Sequence, residues 1–98
     1  MNIEIKKSAE ETTIEITGRL DTTTAPELDK TINEGVADTE KLVLDFKMLE
    51  YISSAGLRVL LSAQKKMQKL GAMKLINVCG EVMEVFEMTG FSDILTIE

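Results

Sequence analysis

Three features of the sequence predict an α/β (α+β) domain. It has one mostly parallel sheet of four to five strands, opened by an antiparallel hairpin, with three to four helices packed on it. Two N-terminal segments alternate apolar and polar residues with period two. Lys41 to Phe46 is a near-continuous apolar run, the mark of a strand buried on both faces of a parallel sheet. Beyond it, strand-like and helix-like segments alternate, which implies right-handed crossovers. With 98 residues, a single domain over 1–98 is expected, and a chain of this size buries ~65% of its surface on folding, enough for one core.

The elements follow in order. Ile3 and Ile5 alternate with Asn2, Glu4 and Lys6, and Thr12 to Thr17 repeats the pattern, so both read as half-buried strands. The short polar stretch Ser8 to Glu11 makes them a hairpin, and Gly18 is expected to close the second strand. Thr24-Ala25-Pro26-Glu27 has the spacing of a capping box, with Thr24 as N-cap and Glu27 reaching back. Leu28, Ile32 and Val36 then recur every four residues on a helix that stops near Gly35. After the 41–46 strand a polar break, Lys47 to Glu50, leads to Tyr51-Ile52. A long helix follows Ser53-Ser54, with Leu57, Leu60, Leu61, Gln64, Met67 and Leu70 as its inner stripe and Gly71 after its end. Lys74 to Val78 is a further strand, and Gly80 opens a helix over Glu81 to Thr89 that Gly90 ends. Ile94 to Ile97 is either a terminal strand or one helical turn.

Composition removes whole classes of function. Seventeen acidic against eleven basic residues give a net charge of −6, a poor basis for gripping phosphate backbones, so no nucleic-acid partner is expected. The Lys65, Lys66, Lys69 cluster reads as a solvated helix end. The chain has no His and one Cys, Cys79, which excludes a Ser-His-Asp triad, a Cys-His dyad and His-based metal sites. Without His there is no ready general base at neutral pH, so neither an enzyme nor a small-molecule substrate is expected. Asp45 has no second carboxylate at ligand spacing, so no metal or other cofactor is expected. A lone Cys fits a reducing, cytoplasmic setting. There is no apolar run long enough to span a bilayer, and the alternating N-terminus does not resemble a signal peptide, so membrane insertion is not expected.

Candidate chemistry concentrates in Tyr51-Ile52-Ser53-Ser54-Ala55-Gly56-Leu57, which joins a strand to the longest helix. Ligands and partners of open α/β sheets are met beyond the carboxyl ends of the strands. A phosphate on Ser54 at a helix N-terminus would face orphan N–H groups and the positive end of the dipole. The plain alternative is that the serine is an N-cap, worth ~1 kcal/mol. Gly56 in the first turn is unfavourable by ~1 kcal/mol, and its missing side chain would let a partner's backbone approach.

Tyr51 to Leu60 resembles the signature of the STAS domain, in the form of the free-standing bacterial anti-sigma factor antagonists. The usual version reads Asp, Ser, Ser or Thr, Gly, Leu, Gly, and its phosphoacceptor, the first Ser after the Asp, maps onto Ser54. Gly18-Arg19-Leu20-Asp21 followed by Thr24-Ala25-Pro26 resembles the family's turn before the first helix. Phe86-Glu87-Met88-Thr89-Gly90-Phe91 resembles a motif near its C-terminus. Ser53 stands where the family has Asp, which leaves Ser53 as second choice for the modified hydroxyl, and Arg58 stands where it has Gly. The resemblance implies a non-enzymatic partner switch. The unmodified antagonist binds an anti-sigma factor that is also a serine kinase, freeing a sigma factor. Phosphorylation releases the antagonist, and a serine phosphatase resets it. The expected contact residues are Asp21, Thr22, Thr24, Ser53, Ser54, Ala55, Gly56, Leu57 and Arg58. The alternative is a STAS subunit of a larger transport or stress-signalling assembly with no phosphorylation cycle.

Overall fold

A computed structural model describes residues 2–35 and 40–98. In it the sheet is assembled on β2 (Glu11–Leu20), which pairs antiparallel with β1 (Asn2–Lys7) and parallel with β3 (Lys41–Asp45). β3 pairs parallel with β5 (Ala72–Ile76), giving the order β1-β2-β3-β5. The hairpin and the parallel centre are thus as the patterning predicts. The apolar run on β3 is buried on both faces, with Leu42 and Leu44 facing the helices and Val43 facing away.

The register explains the layers. Ile14, Leu44 and Leu75 lie side by side on the core face, and Thr13, Val43 and Lys74 lie on the other. Helices α1 (Ala25–Gly35) and α2 (Ser54–Leu70) pack on the core face against each other. α1 inserts Ala25, Leu28 and Ile32, while Val36, expected to extend that stripe, lies outside the described residues. α2 inserts Gly56, Leu57, Val59, Leu60, Ala63 and Met67. Its inner stripe is therefore rotated from the expected one. Val59 and Ala63 are inside, Leu61 and Gln64 are half-buried, and Leu70 is exposed. A count of large apolar residues passes over Val59 and Ala63, which are small but buried.

Three boundaries differ from expectation. β2 does not close at Gly18. Gly18 has a φ of 104°, and the strand runs on to Leu20, with a register shift between Gly18 and Arg19 that leaves Glu50 as the extra residue on the strand opposite. β2 leaves β3 after Glu15 and from Gly18 onward pairs in parallel with β4 (Leu49–Ile52), a strand that begins inside what reads as a polar break. Only Leu49 and Ile52 of β4 are buried, so it shows no alternation. The last strand is β5 at 72–76 rather than 74–78, because Asn77 turns to a φ of 57° and carries the chain out of the sheet.

α3 (Gly80–Thr89) packs against β4 with Val82 and Phe86 buried, and Gly90 ends it in the left-handed conformation. The one helical turn precedes Ile94 to Ile97, and that segment contributes a single strand bridge rather than a strand. A 3-10 turn over Phe91–Asp93 is followed by Ile97, which bridges in parallel to Leu75 and covers the outer edge of β5. Glu98 N–H donates to the Leu75 carbonyl at 2.9 Å, and Leu75 N–H to the Thr96 carbonyl at 2.8 Å. No helix of the described residues is long and apolar enough to cross a membrane.

Candidate functional site at the start of the second helix

The site is built where β2 and β4 end together. Leu20 pairs with Ile52 and Arg19 with Tyr51, and the Ser53 N–H donates to the Leu20 carbonyl at 2.8 Å. Arg19 and Tyr51 point away from the core, with the guanidinium carbon 4.2 Å from the ring centroid. Leu20 and Ile52 point inward and are buried. This clamp brings the Asp21–Thr24 turn and the Ser53–Ser54 junction to one end of the sheet.

The two serines have different tasks. Ser53 is extended (φ −102°, ψ 176°) and is the N-cap of α2, its hydroxyl accepting from the Gly56 N–H at 3.4 Å and its carbonyl from the Leu57 N–H at 3.0 Å. The cap reading of this motif therefore falls on Ser53. Ser54 is the first helical residue; it is exposed, and its hydroxyl has no hydrogen-bond partner among the described residues. The N–H groups of Ser54 and Ala55 are orphan donors of the first turn. At the far end of α2 the Gly71 N–H closes on the Met67 carbonyl, and Lys69 lies in the last turn.

The Asp21 turn is held by its own residues. One carboxylate oxygen of Asp21 accepts from the Thr23 hydroxyl at 2.7 Å, the Thr23 N–H at 3.0 Å and the Thr24 N–H at 3.2 Å. The Thr23 hydroxyl above all, with those N–H groups, holds the Asp21 carboxyl below the usual carboxylate range. Thr24 does not form the expected capping box. Its hydroxyl turns back, donating to the Arg19 carbonyl at 2.8 Å and accepting from the Asp21 N–H at 2.8 Å. The first turn of α1 closes instead through the backbone, from the Glu27 N–H to the Thr24 carbonyl at 3.1 Å and from the Ala25 N–H to the Asp21 carbonyl at 2.8 Å.

Two expected contact residues are turned inward. A Cβ on Gly56 would lie 2.7 Å from Leu20 Cγ and 2.9 Å from Ile52 Cγ1, so this glycine admits the protein's own core rather than a partner's backbone. Leu57 is buried, at 7% exposure. Thr22, Ser54 and Arg58 are exposed, and Asp21, Thr24, Ser53 and Ala55 are half-buried on the same rim. The Arg19–Tyr51 stack on this rim was not among the expected residues. It depends on the pairing of β2 with β4, which residue order alone does not mark.

The other candidates lie elsewhere. Asp45 accepts from the Lys47 N–H at 3.0 Å and from Asn77 Nδ2 at 3.1 Å, which ties the end of β3 to the bend after β5. Cys79 is half-buried, its Sγ 3.7 Å from the Leu49 carbonyl. A groove of 240 Å³ on the far face of β3 and β5 is lined by Lys41, Val43, Lys74 and Glu98 among others, and by no candidate site residue.

The family model of the STAS domain matches residues 2–98. The chain belongs to the STAS domain family. Among STAS relatives, it is 28% identical over 98 residues to the anti-sigma-B factor antagonist of Bacillus subtilis, covering 99% of this chain and 90% of that one. It is 30% identical over 105 residues to the anti-sigma-B factor antagonist of Listeria monocytogenes, covering 100% and 89%. A shorter match, 43% over 58 residues, joins it to BtrV of Bordetella bronchiseptica, and there it spans 50% of the relative's length. The fold is shared with an anti-sigma factor antagonist from Mycobacterium paratuberculosis at a TM-score of 0.89 and 23% identity, over 98% of this chain and 83% of that one. It is also shared with the Bacillus protein SpoIIAA in its phosphorylated form at a TM-score of 0.77 and 17% identity, over 99% and 91%.

Proposed function

We propose that this STAS protein is an anti-sigma factor antagonist, switched by phosphorylation of Ser54. Its partner in this reading is an anti-sigma factor that is also a serine kinase, and a serine phosphatase reverses the mark. The observation that carries the reading is the division of labour between adjacent hydroxyls. Ser53 is committed to capping α2, whereas Ser54 is exposed and unengaged among the described residues. The names of the Bacillus and Listeria relatives support the role, and SpoIIAA supports the modification, since that protein has a phosphorylated form.

The physics of the switch is simple. The unmodified rim offers hydroxyls, the Arg19–Tyr51 stack and Arg58 to a partner. Phosphorylation adds ~−1.5 to −2 charges at its centre. At a desolvated contact, repulsion and the loss of hydration together cost several kcal/mol. A fall in affinity of two to three decades needs only ~3–4 kcal/mol. The orphan donors of Ser54 and Ala55 stabilise the phosphate on the free protein, which favours release further. Every catalytic group is supplied by the partner, with ATP and Mg²⁺ bound there.

A pull-down with wild type, Ser54→Ala and Ser54→Asp tests the reading. The expected result is an anti-sigma factor with kinase activity captured by wild type and by Ser54→Ala, and lost with Ser54→Asp. Capture that all three variants share, with a transport or stress-signalling assembly as the partner, would replace it with the subunit reading. Ser53 in place of the family Asp is the observation that favours that alternative.

A further inference from the structure

We propose that the outer edge of β1 is a self-association surface, on which a second copy of this chain docks its own β1 antiparallel about a twofold axis through Ile5. The strands with an open side differ, and β4, which pairs only with β2, has α3 packed against it. The outer edge of β5 is covered by the bridge from Leu75 to Ile97, whereas β1 has no outer partner among the described residues. β1 also leaves Ile5 50% exposed, although Ile5 sits beside fully buried Ile14.

The register of the hairpin fixes which backbone groups are free. Ser8 N–H donates to the Glu11 carbonyl at 2.8 Å, and Lys6 pairs with Thr13, Glu4 with Glu15 and Asn2 with Thr17. Hydrogen-bonded and non-hydrogen-bonded pairs alternate along an antiparallel ladder. The even residues of β1 therefore bond to β2, and the N–H and C=O groups of Ile3, Ile5 and Lys7 point outward.

A second β1 can satisfy those groups in few ways, and the side chains select one. With Ile5 opposite Ile5 of the copy, Ile3 faces Lys7 in both directions, and every outward group of the three residues meets a partner. Glu4 then lies opposite Lys6, twice, on the polar face, in the close non-hydrogen-bonded positions where side-chain pairs interact best. The exposed Ile5 side chains cover each other at the axis. A shift of the register sum by two residues either way places Glu4 opposite Glu4 or Lys6 opposite Lys6, both repulsive. A shift by one residue would turn apolar side chains onto the polar face. The sequence Asn2-Ile3-Glu4-Ile5-Lys6-Lys7 is thus self-complementary in a single antiparallel register. Such an interface is isologous and closes as a dimer.

Sedimentation velocity across a concentration series from about 10 µM to about 1 mM tests this on the whole chain, the range in which a small interface shows itself. Wild type is expected to pass from monomer to dimer. Glu4→Lys puts two lysine pairs across the axis and is expected to weaken the dimer about tenfold. That variant does not threaten the fold, because Lys at position 4 would stand opposite Glu15, relieving the present Glu4–Glu15 pair. The double variant Glu4→Lys, Lys6→Glu restores both cross-axis pairs and is expected to recover the wild-type dimer. A wild type that stays monomeric throughout overturns the proposal. So does a dimer that Glu4→Lys leaves unchanged or that the double swap does not restore.

Discussion

Gly56 in the first turn of α2 touches Leu20 at the end of β2 so closely that an added Cβ would stand 2.7 Å from Leu20 Cγ. The glycine lets the start of the helix settle onto the paired ends of β2 and β4. Ser53 and Ser54 are placed by that seating. Gly56→Ala gains ~1 kcal/mol of helix propensity, yet it must displace Leu20 and Ile52, which are both buried. Overpacking of this kind costs ~1–3 kcal/mol. Urea unfolding is expected to show a net loss of stability. Gly80→Ala is the control, since nothing lies within 4 Å of its Cβ, and it is expected to be neutral or to gain up to ~1 kcal/mol.

Gly18 is where β2 takes up β4 as its partner, just before the register shift, and its φ of 104° strains any other residue. Gly18→Ala is expected to cost ~1–3 kcal/mol in the same unfolding assay. Its amide hydrogen exchange should quicken at Ser53, whose N–H donates to the Leu20 carbonyl just beyond the register shift. Exchange that quickens equally on β3 would point to general loosening instead.

The Asp21 carboxyl titrates below its ordinary range because the Thr23 hydroxyl and neighbouring N–H groups favour the charged form. For a depressed carboxylate, the stabilisation is complete above the unfolded value of ~3.9 and is lost as pH falls through the folded value. Asp21→Asn is therefore expected to be less stable than wild type at neutral pH, with the difference shrinking below pH ~4. Chemical denaturation at a series of pH values checks this. A difference that is constant with pH would assign the effect to shape rather than charge.

Arg19 over Tyr51 is an exposed cation–π pair, worth ~0.5–1 kcal/mol. A double-mutant cycle with Arg19→Met and Tyr51→Leu is expected to return a coupling of that size. The single variants should reduce partner capture by more than they reduce stability, because the stack stands on the proposed contact rim.

Much of this was legible in residue order, and the limits have physical causes. β3 showed itself because Leu42, Val43 and Leu44 are buried on both faces. The β1–β2 hairpin showed itself by alternation. β4 did not, because two of its four residues are exposed and its pairing with β2 is interrupted by a register shift, a tertiary event. At the site, the motif pointed to Ser53 and Ser54 together. Which of them caps the helix depends on a one-residue offset in where α2 begins, and spacing does not fix that offset. Gly56 looked like an opening toward a partner because its neighbour Leu20 lies 36 positions away in the chain and beside it in the fold.

The proposed switch comes down to one hydroxyl out of two adjacent ones. Trypsin releases residues 48–58 as a single peptide containing both Ser53 and Ser54. That peptide, taken from the protein recovered from the cells that produce it, can be fragmented between the two serines in a mass spectrometer. The phosphate is expected on Ser54, lost in Ser54→Ala and kept in Ser53→Ala. A phosphate on Ser53, or a peptide that carries none when the cognate kinase and ATP are supplied, would contradict the assignment.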